Sequence, residues 1–205
     1  EQAQMLIQKH QIGNLIYYGA SNCGLDTKQP QLRKLFETTY QCMLVDERQR
    51  KELSKLFAAF DANQIHYMPL KGVLMKHLYP QTDMRIMGDA DIMIKLEQYE
   101  KIQQIMAELG YVFKVETDHE LVWENAGLHL ELHKRLLPEY NGDFAAYYGD
   151  CWRLGKPTAD NPFRYEMTDE DQMIYLFTHF AKHFRNGGIG IRHMTDLYVY
   201  KKAKP

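Results

Sequence analysis

Cysteine is scarce: Cys23, Cys42 and Cys151 stand far apart, and no C-x-x-C pair occurs. That excludes a disulfide framework and a cysteine-based zinc site, and a reducing cytoplasm is the expected compartment. An excess of one charge is also missing. Lys and Arg number 25 against 27 Asp and Glu, a formal net charge of -2. No basic field exists to coat DNA or RNA, so nucleic acid is not an expected partner. No apolar run approaches the roughly 18 residues of a membrane span, and no membrane partner is expected. The start, EQAQMLIQKH, lacks the apolar core of a signal peptide and reads as the opening of an amphipathic helix in a trimmed chain. Low-complexity tracts and repeats are absent as well. What remains is 45% apolar and 25% charged residues, the composition of an ordered globular protein.

Hydrophobic spacing divides the chain into three stretches: a helical segment over 1–62, a core over 63–135, and an irregular connection plus helices over 136–205. Residues 1–20 carry apolar side chains at helical spacing. Leu32, Leu35, Phe36, Tyr40 and Met43, then Leu53, Leu56, Phe57 and Phe60, predict one long helix over 31–62. The middle alternates. Strands are predicted over 65–70 and 90–95, with helices over 72–78 and 96–109, the latter ended by Gly110. Period-two patterns over 111–115, 120–124 and 128–133 predict three more strands. Prolines and glycines over 134–166 predict irregular surface. Thr168 then caps a helix whose apolar face includes Met173, Leu176 and Phe180, and a last helix covers 192–202. The expected class is α+β with an α/β middle, a small mixed sheet flanked by helices at both ends.

The chemistry concentrates in 68–96, MPLKGVLMKHLYPQTDMRIMGDADIMIKL. Lys71-Gly72 sits between a predicted strand and helix, where a glycine admits a phosphate to the backbone and the lysine adds a mobile cation. Asp89 and Asp91 flank the start of the next strand. Residues at i and i+2 share a strand face, so two carboxylates lie side by side and repel unless a cation neutralises them. Mg²⁺ is the expected cation, with Mn²⁺ the alternative. On that reasoning, removing one carboxylate relieves repulsion and leaves the metal-free fold intact. A third acid comes from Leu128-His129-Leu130-Glu131-Leu132-His133, whose leucines bury and leave Glu131 on the opposite face. Glu124 competes for that role from the neighbouring strand.

PLKG, LYP, MRIMGDADIMI and HLELH together resemble the uncharacterised nucleotidyltransferase family of the DNA polymerase β-like superfamily. HFAKHF…GGIGIRHMTDLYVY resembles the same family's helical region. The resemblance implies a sheet of nucleotidyltransferase type, with Asp89, Asp91 and Glu131 as catalytic and metal-binding acids. It implies Gly72 beside the triphosphate of an NTP substrate. Val73 stands where many superfamily members carry a phosphate-contacting Ser, and Lys71 is the residue placed to replace that contact. The implied reaction moves a nucleotidyl group to a small-molecule or protein acceptor. Two other readings stand beside it: a silent nucleotide-binding or partner-binding module, and a metal-dependent phosphohydrolase.

Other residues keep two readings each. Arg85 contacts a phosphate of the NTP or pairs with Asp83. His179 and His183, at i and i+4, share a helix face and form half of a zinc site with no third ligand evident. Alternatively they form a polar edge of the cleft, with His183 directed to the nucleotide, Lys182 and Arg185 nearby, and Arg192, His193 and Asp196 joining it. Gly187, Gly188 and Gly190 read as a hinge or a close-packing turn.

Overall fold

The computed structural model describes residues 2–185 and 187–204. They form two compact units: one holds 1–47, 75–86 and 176–205, the other 48–74 and 87–175.

The second unit carries the sheet. Its strands are β1 (Tyr67–Pro69), β2 (Ala90–Ile94), β3 (Val112–Glu116), β4 (Glu120–Glu124), β5 (His129–His133), β6 (Gly155–Thr158) and β7 (Asn161–Met167), in the order β3-β4-β5-β2-β1-β7-β6. β2 runs parallel to β5 and antiparallel to β1, so the sheet is mixed. Alternation decides its two faces. Ala90, Ile92 and Ile94 of β2, Leu130 and Leu132 of β5, and Leu121 and Trp123 of β4 enter one core cluster. That cluster also takes Leu53, Leu56 and Phe60 from the end of α3 (Pro30–Ala62) and Ile102, Ile105 and Met106 from α5 (Tyr99–Glu108). Gly110 adopts a φ of +76° after α5, letting Tyr111 N–H donate back to the Met106 carbonyl at 2.9 Å. The opposite face packs Met68, Leu70, Met93 and Met167 with Tyr148 at the end of α6 (Asp143–Tyr148). α4 (Lys71–Met75) follows β1 directly.

The first unit holds α1 (Gln2–His10), α2 (Gly13–Asn22), the opening of α3, the end of α7 (Asp169–Arg185) and α8 (Ile191–Ala203). Its helices are pinned to 75–86 by buried polar contacts. Asn14 donates to the Asp83 carbonyl at 2.6 Å and Tyr18 to the Asp83 carboxylate at 2.7 Å. Lys76 pairs with Asp46 at 2.5 Å, and Tyr79 donates to Asp196 at 2.7 Å.

Two sequence-based expectations change. The first helical stretch is broken at Gln11, whose φ of 53° separates α1 from α2. The stretch expected to be irregular, 134–166, contains α6 and a β6–β7 hairpin that extends the sheet. Pro157 lies in β6, the last strand in the order, where an absent N–H costs little. Phe163, Tyr165 and Met167 kept their period of two behind Pro162. The cap at Thr168 is present: its hydroxyl accepts from the Asp171 N–H at 3.1 Å.

Leu130 is fully buried while its strand neighbour His129 is partly exposed. Leu130→Ala should cost about 2–5 kcal/mol. His129→Ala should cost under about 1 kcal/mol, both read as midpoint shifts in urea unfolding.

Candidate active site

Asp91 sits in the second residue of β2, directly opposite Glu131 in the parallel β5 register. Because Ala90 and Ile92 point into the core, Asp91 emerges on the other face. The same logic on β5 buries Leu130 and Leu132 and brings Glu131 and His133 to Asp91's side. One oxygen of Asp91, one of Glu131 and one nitrogen of His133 lie within 4.8 Å of one another.

Lys71 reaches this group from the turn after β1. The Leu70 N–H donates to the Asp91 carbonyl at 2.9 Å, fixing the turn against β2. At the next residue the Lys71 ammonium meets Asp91 Oδ1 at 2.5 Å. The residue with left-handed backbone here is Lys71, at φ 41°, and not Gly72. Such a conformation costs a non-glycine residue about 1 kcal/mol, and the ion pair offsets it. Gly72 follows, buried, in the first turn of α4. Val73 is 3% exposed and belongs to the main core cluster, so its side chain packs inward.

His133 Nε2 donates to the same Asp91 oxygen at 2.8 Å, and its Nδ1 faces the Arg135 carbonyl at 3.3 Å. Burial alone would raise the Asp91 carboxyl, but Lys71 and His133 outweigh it and hold it well below the usual carboxylate range. Burial would likewise lower the Lys71 ammonium, but the Asp91 charge overrides it and raises it. Glu131 behaves in the opposite sense. Burial, then the charges of Asp91, Asp89 and Glu120, push its carboxyl up to about 7 against the pull of Lys71. Glu120 is held low, first by its bond to His119, whose Nε2 lies 3.1 Å away.

Asp89 occupies a bend before β2, partly exposed, and acts on Glu131 and Lys71 through its charge. Glu124 lies away from the group, with His129 Nδ1 at 2.7 Å and Lys114 at 3.1 Å. Arg85 belongs to the first unit and pairs with Asp196 through three bonds of 2.9–3.1 Å. The sequence-based pairing with Asp83 is replaced, because Asp83 accepts from Tyr18 instead. His183 is also in the first unit, 3.0 Å from His179. Sequence reasoning missed His119 and Glu120, and it put His133 on the face of Glu131 without giving it a role. That role was reachable, since His133 stands two residues after Glu131 on the same face.

The donor set suits a divalent cation. It combines two carboxylates and an imidazole, and burial together with the charges of Asp91, Asp89 and Glu120 raises the Glu131 carboxyl despite Lys71. A metal ion bound to Asp91 would take over contacts now made by Lys71 and His133.

The fold is similar to that of the antibiotic-resistance factor ANT(2'')-Ia. Its solution structure matches with a TM-score of 0.58 at 15% identity, over 78% of this chain and 86% of that one. Its crystal structure in complex with adenylyl-2''-tobramycin matches with a TM-score of 0.57 at 14% identity, over 81% and 90%. Among curated proteins, none matches in sequence. Among the described residues no helix is long and apolar enough to cross a membrane. Matched over residues 1–204, the chain belongs to the family described as uncharacterised nucleotidyltransferase.

Proposed function

We propose that the protein transfers a nucleotidyl group from an NTP to a hydroxyl or amine of a small molecule, with Mg²⁺ or Mn²⁺ bound by Asp89, Asp91 and Glu131. The observation that carries this reading is the Asp91–Glu131 pair on adjacent parallel strands, with one carboxyl held low and the other pushed up to about 7. Two acids whose environments drive them apart suit two roles. Asp91 stays charged and binds cation. Glu131 sits close to working pH, where a carboxylate serves as a general base.

In the transfer, the acceptor oxygen or nitrogen forms a bond to the α-phosphorus while the bond to the β-phosphate bridging oxygen breaks, releasing pyrophosphate. Glu131 takes the acceptor's proton. Lys71 supplies positive charge to the phosphates beside Gly72. A divalent cation held by Asp89, Asp91 and Glu131 would supply charge neutralisation at the phosphates and a lowered proton affinity at the acceptor. Positioning and charge neutralisation carry most of such a reaction.

A cavity of about 500 Å³ opens just after β5, lined by Lys134, Arg135, Leu137, Tyr148 and Asp150 among others. Its Tyr148 ring stands edge-on to Tyr175 at 5.9 Å, and Tyr175 senses the charges of Lys71 and Asp91. That volume suits a small-molecule acceptor. ANT(2'')-Ia, solved with an adenylylated aminoglycoside, supports the same acceptor class. The test is pyrophosphate release from each NTP with Mg²⁺ or Mn²⁺ and a panel of polyhydroxylated and aminated small molecules. Phosphate release without an acceptor would instead establish a hydrolase.

Asp91→Asn should abolish divalent-dependent NTP binding. It should also destabilise the metal-free protein by about 3–5 kcal/mol, because Lys71 is left buried without its charge partner. This replaces the expectation of unchanged apo stability drawn from two crowded carboxylates. Calorimetric NTP titration and urea unfolding read the two effects.

Glu131→Gln should keep NTP affinity and stop transfer, while Glu124→Gln does neither. The metal-free stability should respond to pH as well. Between the ordinary Glu value of 4.5 and about 7, the folded state holds a proton on Glu131 that the unfolded state has released. Stability therefore falls as pH rises through that window, by roughly 3 kcal/mol. In chelator-treated Glu131→Gln that part of the slope should vanish, as unfolding midpoints at a series of pH values would show.

A further inference from the structure

We propose that His179, His183 and His193 form a second metal site, specific for a late first-row divalent ion such as Zn²⁺, with an open fourth position. The site lies wholly in the first unit and owes nothing to the acids on the sheet. His179 and His183 are one turn apart on α7. Gly187 and Gly188, at φ 134° and 98°, take backbone conformations that disfavour any other residue as the chain turns towards α8. His193, in the first turn of α8, then faces the pair. Sequence spacing shows the first two ligands and hides the third, because the return of the chain supplies it.

The geometry is close to that of a bound site. The Nε2 atoms of His179 and His183 are 3.0 Å apart. Two imidazoles on one tetrahedral zinc are separated by roughly 3.3 Å, from metal–nitrogen distances near 2.05 Å. The His193 ring centroid is 5.7 Å from His179 and 5.3 Å from His183. One nitrogen from each of the three rings lies within 4.8 Å of the others. Closing from that spread to the bound spacing takes at most about 1.5 Å, a side-chain rotation.

A second observation points the same way. His193 Nδ1 is buried and makes no hydrogen bond of good geometry. An unsatisfied ring nitrogen in that position costs free energy that an ion would recover.

The donor set selects the ion. Three imidazoles without a carboxylate suit Zn²⁺, Co²⁺, Ni²⁺ or Cu²⁺ and not Mg²⁺ or Ca²⁺, which seek oxygen. Asp196, in the same helix as His193, is engaged by Arg85 and Tyr79. Three protein ligands leave a fourth position for water or an anion, as in open zinc sites. The bound ion would also tie α7 to α8.

The test uses the full chain, stripped with chelator and titrated with Co²⁺ in the presence of saturating Mg²⁺. Wild type and Asp91→Asn should both show the visible ligand-field bands of tetrahedral Co²⁺, with a stoichiometry of one, and Zn²⁺ should displace them. His193→Ala and His183→Gln, each confirmed folded by circular dichroism, should weaken Co²⁺ binding by more than roughly 100-fold, beyond the loss of an outer partner. Zn²⁺ should raise the melting temperature of wild type and of Asp91→Asn but not of the histidine variants. The proposal is overturned if wild type shows no visible bands, if the bands disappear in Asp91→Asn while both histidine variants keep them, or if the His179–His183 contact proves a simple imidazole–imidazole hydrogen bond that Zn²⁺ leaves unperturbed in the histidine NMR spectrum.

Discussion

The buried charge of Asp91 is the constraint around which the second unit is arranged. Its side chain is 2% exposed, and a lone carboxylate there would be driven to protonate. Lys71 and His133 prevent that, at 2.5 and 2.8 Å on one oxygen. Each partner arrives by a separate structural device. Lys71 is aimed by a left-handed turn that the Leu70–Asp91 backbone bond clamps against β2. His133 is delivered by the parallel register of β5, which also puts Glu131 level with Asp91. A shift of one residue in that register would turn Glu131 and His133 into the core and Leu132 onto the site. The leucines of β5 thus hold the chemistry in place as much as the acids perform it.

The same alternation explains how much could be read from the sequence. Period-two patterns at 111–115, 120–124 and 128–133 marked three strands, and the apolar run at 90–95 a fourth, since all depend only on which residues are apolar. The helix at 30–62 was legible for the same reason. What escaped depended on tertiary partners. Pro157 and Pro162 hid the β6–β7 hairpin, because a proline speaks against a strand unless the strand is known to be an edge. Arg85 was assigned to a phosphate or to Asp83, while the structure pairs it with Asp196, 111 positions along the chain. No local spacing encodes such a partner. His193 was read from the sequence as joining a polar edge with His179 and His183, but its place as a third imidazole facing that pair depends on how the chain returns into α8.

Lys71 gives the site a further property. In the metal-free protein it serves as a built-in counter-ion, so Asp91 remains ionised and correctly placed before any metal or nucleotide arrives. The site is preorganised in that sense. On the proposed function, a divalent cation would compete with the ammonium for the same oxygen, and the phosphates of an NTP would offer the displaced ammonium new partners. Cation and triphosphate would then favour each other's binding through one lysine, a coupling reciprocal by linkage.

Glu131 completes this argument from the other side. Its carboxyl is pushed up to about 7 by burial and by the neighbouring acids, with Lys71 as the opposing influence. A cation bound beside Asp91, as the proposed function has it, would offset part of the neighbouring negative charge and ease release of the Glu131 proton. The proposed base would then be ionised in the company of the cation, with a lower proton affinity than in its absence. On that reading, proton acceptance by Glu131 would be tied to the arrival of the charge that the phosphates require. Strand register sets Asp91, Glu131 and His133, and the turn after β1 sets Lys71.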